Sequence, residues 1–395
     1  MHDVAIVGGG PGGLYAALQL ARRGFRVSIF EEHLAPGDPV HCTGVLAVEA
    51  FDEFDVPRDS ILNPLDTARF FGPSGASIAY SPPTIEALVI DRRVFDHALS
   101  DAARAAGASI HVGAKVIDVR CSASGVTVVT ADDEQIQARA CILACGASYA
   151  LQRRLGLGMP QVHLQSAQME LPAGNPGTVE VHFGTETAPK GFGWVVPVMR
   201  GGQAFARIGL MCERDAREYF QRFLSRIAPR WQIGSPAGFD NGMVPRAKIL
   251  PLGPIRRSYA ARLLAVGDAA GLVKATTGGG IYYSLLSARI AAETLSGALT
   301  ANDLSDRAMS SYEVRWRALL GEELDAQMQL RRVAHRLSDE EIDSLFELAR
   351  TDGIMPIVRR TARFNRHRDL IMSLLSHPPA RRVLMRRVLG WTRTA

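Results

Sequence analysis

Residues 263–281, LLAVGDAAGLVKATTGGGI, decide the fold that we expect for this chain. A short apolar strand leads into Gly267-Asp268, and a second glycine cluster at 278–280 opens a helix. A comparable strand, glycine loop and helix stand at residues 4–24, VAIVGGGPGGLYAALQLARRG, more than 250 residues earlier. Glycine loops at helix starts bind phosphate groups through backbone N–H groups. Two such loops at this separation indicate one large dinucleotide held from two parts of the chain, which predicts FAD.

The N-terminal loop has the surroundings that a dinucleotide fingerprint requires: a buried strand before it, a helix after it, and a second strand ending at Glu31. Gly8 allows the tight turn, Gly10 lets backbone amides approach a pyrophosphate, and Gly13 allows close packing of helix on strand. Glu31 stands where a carboxylate accepts hydrogen bonds from ribose hydroxyls. These features predict an α/β protein with a Rossmann-like FAD-binding domain.

Length and composition narrow the class of protein. At 395 residues the chain is longer than one hydrophobic core usually supports, so two or three folding units are expected. We expect no signal peptide before the first strand, and no apolar stretch in this sequence is long enough to predict a membrane-spanning helix. The five cysteines have no metal-ligand spacing, which predicts reduced thiols in a cytoplasmic protein without a disulfide framework and with no metal site.

A loop with an unusual cysteine, PVHCTG at 39–44, follows the acid. Cys42 is either a residue beside the flavin ring or a buried thiol that packs in a loop, and the residues alone leave both interpretations open. The next helix begins near Arg92. This arginine could reach a phosphate or ribose of the cofactor, or it could be a solvated surface residue.

Residues 60–90 and 160–245 carry short alternating segments separated by Gly-Pro turns. This alternating pattern predicts an antiparallel sheet that covers one face of the cofactor domain. Within it, Phe192 and Trp194 are two residues apart, so their rings point to the same face of a strand. We assign them, with the adjacent Pro197, to the wall of an apolar substrate pocket, and ordinary sheet packing is the alternative.

The last part of the chain is expected to be helical. Ser338 and Glu341 form a capping box for a helix that follows them. Residues 356–395 hold ten arginines and one acid, a net charge of +9, against +5 for the whole chain. A basic amphipathic helix over 379–391 could lie on an anionic membrane surface, dock on the protein body or bind a partner. No nucleic-acid partner is expected, because no recognised binding module is present.

Together these motifs resemble the geranylgeranyl reductase family, within the flavoprotein group that also holds aromatic hydroxylases and flavin-dependent halogenases. The resemblance covers roughly residues 1–300 and rests on GGGPGG with Glu31, PVHCTG, DRRVFD, GFGWVVP and GDAAGLVKATTGGGIYYSLLSA. It implies a para-hydroxybenzoate hydroxylase-like flavoprotein fold. The expected units are a discontinuous FAD-binding domain (1–60, 90–160 and 245–300), an inserted antiparallel-sheet substrate domain (61–89 and 161–244), and a C-terminal helical region with a basic tail (301–395).

The resemblance also implies which residues bind FAD. These are Gly8, Gly10, Gly12, Gly13, Glu31, Cys42, Thr43, Arg92, Val116, Gly267, Asp268, Gly280 and Ile281. The backbone N–H groups of the last two would face the pyrimidine end of the ring, where they would stabilise the anionic reduced flavin. Two departures from the family pattern, the short CTG after the histidine and Ala275 in place of a proline, leave the geometry of the flavin-facing loop open.

The implied reaction is saturation of carbon–carbon double bonds in a geranylgeranyl or polyprenyl chain by hydride from N5 of reduced FAD. Cys42 is a candidate proton donor. The electron donor, either NADPH, ferredoxin or a quinol, is left open, because the chain carries one dinucleotide fingerprint. The basic C-terminal helices would make any peripheral contact with a membrane.

Three alternatives follow from the same residues. The first is an FAD-dependent monooxygenase that hydroxylates an apolar or aromatic substrate. The second, a halogenase, is disfavoured because no lysine occurs from 14 to 114. The third is a non-enzymatic FAD-bound carrier at a membrane.

Overall fold

The computed structural model describes residues 1–175, 177–234, 244–351 and 353–389. Its strands are β1 (His2–Val7), β2 (Val27–Phe30), β3 (Val45–Ala47), β4 (Ile61–Leu65), β5 (Ala68–Phe71), β6 (Ser77–Tyr80), β7 (Ala87–Ile90), β8 (Ser109–His111), β9 (Val116–Cys121), β10 (Val126–Thr130), β11 (Gln135–Leu143), β12 (Val162–Pro172), β13 (Val179–His182), β14 (Phe192–Arg200), β15 (Gln203–Cys212), β16 (Arg246–Leu252), β17 (Tyr259–Ala260) and β18 (Leu263–Ala265). Its helices are α1 (Pro11–Ala21), α2 (Glu49–Phe54), α3 (Arg92–Ala105), α4 (Ala150–Arg154), α5 (Ala216–Ile227), α6 (Ile281–Thr300), α7 (Asp306–Ala334), α8 (Asp339–Thr351), α9 (Ile354–Thr361), α10 (Arg368–Ser376) and α11 (Pro378–Leu389).

The first sheet carries the glycine loops. Its main strand order is β17-β18-β11-β1-β2-β8, with the β9–β10 hairpin attached to β11. Strand β1 lies between parallel neighbours β11 and β2 and is buried from Val4 to Val7, as expected for a strand covered on both faces. Helices α1, α3 and α6 pack together beside this sheet. The expected strand–helix–strand unit is therefore present.

The second sheet has the order β16-β12-β15-β14-β13-β5-β6. Its pairs are antiparallel except for β13 with β5, which run parallel where a segment from the first part of the chain joins the sheet. Arg246–Leu252 pairs with β12, so this sheet continues past residue 244, where the sequence analysis ended it. Residues 61–89 are also divided, since β4 and β7 form a separate small sheet with β3.

The C-terminal helices dock on both sheets. Helix α7 contacts α6 and β17, and α8 contacts β6. The capping box is confirmed: the Ser338 amide donates to Glu341 Oε2 (2.8 Å) and the Glu341 amide donates to Ser338 Oγ (3.3 Å). In α11, Ala380 and Leu384 are buried against the body, whereas the side chains from residue 385 onward lie outside the described residues. None of the helices described is long and apolar enough to cross a bilayer.

Candidate functional site

The first glycine loop is shaped by close backbone approaches. Gly8 has φ of +107°, and a Cβ there would come within 2.7 Å of the Ala144 carbonyl carbon. A Cβ on Gly13 would overlap the Gly8 carbonyl oxygen and come within 3.2 Å of the Ala144 side chain. A Cβ on Gly10 would meet nothing within 4 Å. The loop is therefore packed tightly against β11 while one side of it faces open space at the start of α1.

The two glycine loops meet at one residue, Ser284, in the first turn of α6. A Cβ placed on Gly12 or on Gly267 would collide with the Ser284 hydroxyl. The amide of Gly267 also donates to Ser287 Oγ, one turn further along α6 (3.0 Å). The convergence predicted from the sequence is therefore real, and it places the starts of α1 and α6 side by side.

Asp268 stands at the second loop, in a short 3₁₀ turn after β18. Its Oδ1 lies 2.6 Å from where a Cβ on Gly280 would stand, so a larger residue there would displace the Asp268 carboxylate. Gly280 caps α6 and Ile281 is its first residue. The first amides of a helix have no acceptor within the helix, so this end carries free donors and the positive end of the helix dipole.

Glu31 lies at the end of β2, as predicted, but its carboxylate also has protein partners. Oε2 accepts from the Gly9 amide at 2.6 Å, and Oε1 accepts from the His33 amide at 3.0 Å. The Glu31 carbonyl accepts from the Ala114 amide at 2.8 Å, which brings the segment before Val116 to the same edge. Glu31 thus fixes the glycine loop, a function that the fingerprint alone does not reveal.

The cysteine loop lies against the start of α3. The Arg92 guanidinium pairs with Asp96 Oδ2 at 2.8 Å, and its side chain is 14% exposed. Burial opposes its charge, but Asp96 and Cys42 outweigh burial and raise the pKa of Arg92. The Gly44 amide donates to Cys42 Sγ at 3.3 Å. Arg92 is therefore a largely buried residue paired with Asp96, and not a solvated surface residue.

One face of the second sheet covers this loop. Thr43 Oγ1 donates to Gln168 Oε1 on β12 at 3.1 Å. Arg207 on β15 donates to the Thr43 carbonyl at 2.6 Å and to Glu170 Oε2 at 2.6 Å. Glu170 also accepts from Arg200 at 2.7 Å; burial opposes its charge, yet the two arginines lower its pKa. These residues hold the cysteine loop to the sheet.

The sequence analysis missed Gln168, Glu170 and Arg207. None belongs to a motif: Gln168 and Arg207 bond Thr43 from 125 and 164 positions away, and Glu170 acts through Arg207. Ser284 was also missed, although it lies in the GGGIYYS stretch next to the predicted glycines.

Apolar side chains on the same sheet face surround the aromatic pair. The rings of Phe192 and Trp194 are 5.9 Å apart in an edge arrangement, and both pack with Met211. Gly209 lies under the indole, since a Cβ there would come within 2.9 Å of Trp194 Nε1. The assignment of Pro197 to this wall is wrong: strand alternation turns it to the opposite face, where Val195 packs with α5.

The comparisons with known proteins bear on this site. A family model described as pyridine nucleotide-disulphide oxidoreductase matches residues 2–166. The digeranylgeranylglycerophospholipid reductase 2 of Methanothermobacter thermautotrophicus is 31% identical over 367 residues, which cover 87% of this chain and 90% of the relative. The chain belongs to the geranylgeranyl reductase family. Like other members of the geranylgeranyl reductase family, it is an FAD-dependent oxidoreductase.

Further matches agree with membership of the geranylgeranyl reductase family. The digeranylgeranylglycerophospholipid reductase of Methanocaldococcus jannaschii is 29% identical over 361 residues, 88% of this chain and 90% of the relative. A geranylgeranyl bacteriochlorophyll reductase-like structure from Thermoplasma acidophilum matches with a TM-score of 0.80 and 23% identity over 98% of both chains. A flavin-dependent brominase matches with a TM-score of 0.69 and 13% identity over the whole of both chains. At these identities the two structures show the fold alone, and they confirm the predicted fold class.

The cleft of this geranylgeranyl reductase family member has the features that FAD requires. The open side of Gly10 leaves room for a pyrophosphate at the start of α1. Two buried ring nitrogens beside the cleft, His41 Nδ1 and the indole donor Trp194 Nε1, have no hydrogen-bond partner within the part of the chain that the structure describes. Buried polar atoms normally have partners, so atoms of this kind mark a place for a ligand. The residues present therefore fit the cofactor.

Proposed function

We propose that this chain is an FAD-dependent reductase that saturates carbon–carbon double bonds of a geranylgeranyl or polyprenyl chain. The observation that carries the proposal is the apolar sheet face at Phe192, Trp194 and Met211, which faces the cysteine loop. The reductases from two archaea, named for digeranylgeranylglycerophospholipid, support the choice of a prenyl lipid. When bound and reduced, FAD supplies hydride chemistry.

The protein's own task follows from the chemistry of an isolated alkene. Such a double bond has no carbonyl group to polarise, so the rate depends on close positioning and on the exclusion of water. The rings of Phe192 and Trp194 supply an apolar wall. The link from Arg207 to the Thr43 carbonyl fixes the loop that closes the opposite side. Together these residues bind and orient the prenyl chain of the substrate.

Hydride addition to one carbon of the double bond leaves the other carbon in need of a proton, and the Cys42 thiol is the candidate donor. Its sulfur accepts a hydrogen bond from the Gly44 amide at 3.3 Å. If Cys42 supplies the proton, Cys42→Ala should lose turnover while FAD binding persists, and Cys42→Ser should keep the same packing. Equal turnover in Cys42→Ala and the unchanged protein would assign the thiol to packing alone.

The reaction is tested without oxygen. Purified protein with chemically reduced flavin is incubated with geranylgeranyl lipids, and the products are analysed by mass spectrometry. We expect each reduced double bond to add the mass of two hydrogen atoms. Turnover that occurs only when oxygen is admitted, with a product heavier by one oxygen atom, would refute the reductase and indicate a monooxygenase.

We also propose that NADPH or ferredoxin reduces the flavin from outside, because the sequence has one dinucleotide fingerprint. Mixing the oxidised protein with each donor in turn, under anaerobic conditions, and following flavin bleaching identifies the donor. A quinol that bleaches the flavin when neither of these does would overturn the proposal.

Contact with an anionic membrane surface is a further part of the proposal. Support comes from the net charge of +9 over 356–395 and from exposed arginines on α9 and α11, Arg359, Arg360, Arg381 and Arg382. A variant with these four arginines changed to glutamine should bind anionic vesicles less than the unchanged protein does. Equal sedimentation with vesicles would refute the contact. Substitution is preferable to truncation, because the same region makes buried contacts with the body.

A further inference from the structure

The loop that joins α9 to α10, residues 362–367, makes buried polar contacts with the flavin-facing loop at 274–280. Lys274 is 4% exposed, and its Nζ donates to the Phe364 carbonyl at 2.8 Å and to Asn365 Oδ1 at 2.6 Å. Asn365 is equally buried and donates from Nδ2 to Glu49 Oε1 at 2.7 Å. A lysine buried to this extent needs such partners, because an unpaired buried charge is very costly.

His367 makes the second contact between the two loops. Thr276 Oγ1 lies 2.6 Å from its Nδ1, and its Nε2 lies 3.1 Å from the Phe364 carbonyl. A carbonyl can only accept, so we assign the proton to Nε2 and let the Thr276 hydroxyl donate to Nδ1. Burial, assisted by the charge of Lys274, lowers the pKa of His367 to about 4, which keeps this neutral tautomer at physiological pH.

Helix α7 closes the network from a third side. Gln327 Oε1 accepts from the Ala275 amide at 2.9 Å, and its Nε2 donates to Glu323 Oε1 at 2.6 Å and to the Tyr283 hydroxyl at 3.2 Å. That hydroxyl donates to the Asn365 carbonyl at 3.1 Å. Every buried polar group named here has a partner, which is the condition under which a polar network makes a structure rigid.

The flavin-facing loop requires such support from outside. Residues 278–280 are glycines, and Gly278 has φ of +74°. Glycines have no side chain with which to hold a conformation and lose the most freedom on ordering. Within the loop, the Lys274 amide donates to the Gly279 carbonyl at 3.0 Å and the Gly278 amide donates to the Lys274 carbonyl at 2.8 Å. The loop therefore closes on Lys274, and Lys274 is fixed by the C-terminal loop.

We infer that Thr276, Asn365 and His367 are positioning residues for the flavin: with Lys274 they hold loop 274–280 so that Gly280 and Ile281 direct their amides at the ring. The inference rests on the proposed function only in assigning that loop to the flavin. It makes the C-terminal helical region a support of the redox site that acts through loop 274–280.

The test uses the full-length holoenzyme and the pair Thr276→Val and Thr276→Ser. Valine has nearly the shape of threonine but no hydroxyl, whereas serine keeps the hydroxyl that donates to His367. For Thr276→Val we expect a shifted flavin reduction potential and visible spectrum, with kcat lower by about tenfold and KM changed by less than about threefold. Thr276→Ser should restore all of these.

Asn365→Ala provides a second variant, and Arg363→Ala is its matched control. Arg363 is exposed on the same loop, and within the described part of the chain its guanidinium hydrogen-bonds the neighbouring Ala362 carbonyl alone. We expect Asn365→Ala to move the flavin potential and Arg363→Ala to leave it unchanged. If both Thr276→Val and Asn365→Ala keep the potential and spectrum of the unchanged protein, the positioning role is refuted, whatever their stability. The flavin potential and the visible spectrum are measured without substrate, so they remain informative even if the protein reduces no prenyl lipid.

Discussion

Replacing Lys274 with methionine should remove a pH dependence from the stability of the protein. Burial, which Glu49 and Glu323 only partly offset, lowers the pKa of Lys274 from 10.5 to about 7. In the unfolded chain the amine keeps its ordinary pKa. Between these two values the unfolded state binds one more proton than the folded state, so the free energy of unfolding rises with pH. Below pH 7 both states are charged, so the pH dependence ends there, with the destabilisation from burying the charge at its full value.

The magnitude follows from the linkage relation. One proton changes the free energy of unfolding by about 1.4 kcal/mol per pH unit, so the interval from pH 7.5 to 9.5 corresponds to roughly 3 kcal/mol. Burial raises the pKa of the Cys145 thiol to about 11, and this acts in the opposite direction, because the unfolded thiol ionises first. That contribution is common to both proteins, so the difference between them isolates Lys274.

The assay is urea unfolding of the unchanged protein and Lys274→Met at pH 7.5, 8.5 and 9.5, with FAD at saturation. We expect the difference in free energy of unfolding to change by roughly 3 kcal/mol across the series, with the unchanged protein gaining as pH rises. Lys274 could instead be held charged by its two carboxylates. The two curves would then run parallel, and the reasoning from burial would be refuted.

Three further variants test the site. Gly13→Ala should lower both the melting temperature and the amount of bound flavin, because the added Cβ overlaps a backbone carbonyl. Gly10→Ala, whose Cβ meets no described protein atom within 4 Å, should weaken FAD binding and leave the melting temperature of the apoprotein unchanged. Equal behaviour of the two variants would contradict the packing described. Gly209→Ala should push the indole of Trp194 into the cleft and raise KM for a prenyl substrate by about tenfold at unchanged FAD affinity, and an unchanged KM contradicts this. Glu170→Gln should cost about 1–3 kcal/mol in urea unfolding, because it leaves two arginines without their shared carboxylate, and a cost below about 0.5 kcal/mol contradicts a structural role.

The parts of the fold that the sequence predicts are those with a local pattern. The glycine loop with its strand and helix, the position of Glu31 at the end of β2, and the capping box at Ser338 depend on residues within a few positions of one another. The same period of two that predicts a shared face for Phe192 and Trp194 also turns Pro197 to the other face. The assignment of Pro197 was wrong because it followed the GFGWVVP motif as a whole and not the alternation of side chains along the strand.

The remainder depends on contacts that no local pattern encodes. Arg207 reaches Thr43 across 164 positions, and Lys274 reaches Asn365 across 91. Arginine, asparagine and lysine are ordinary surface residues by composition, so their burial follows only from the assembled structure. The parallel pairing of β13 with β5 is of the same kind, because strand partners far apart in the chain leave no periodic signal.

The meeting of both glycine loops at Ser284 has a consequence for how the protein is made. A ribosome delivers the chain from its N-terminus, and domains usually fold as they emerge. Here the first glycine loop emerges at residues 8–13, but the helix that completes the cleft begins only at Ile281, and its supporting loop follows at 362–367. A nascent chain therefore has no complete flavin cleft for most of its synthesis. Flavin capture is a late event, and bound flavin reports that nearly the whole chain has been assembled correctly.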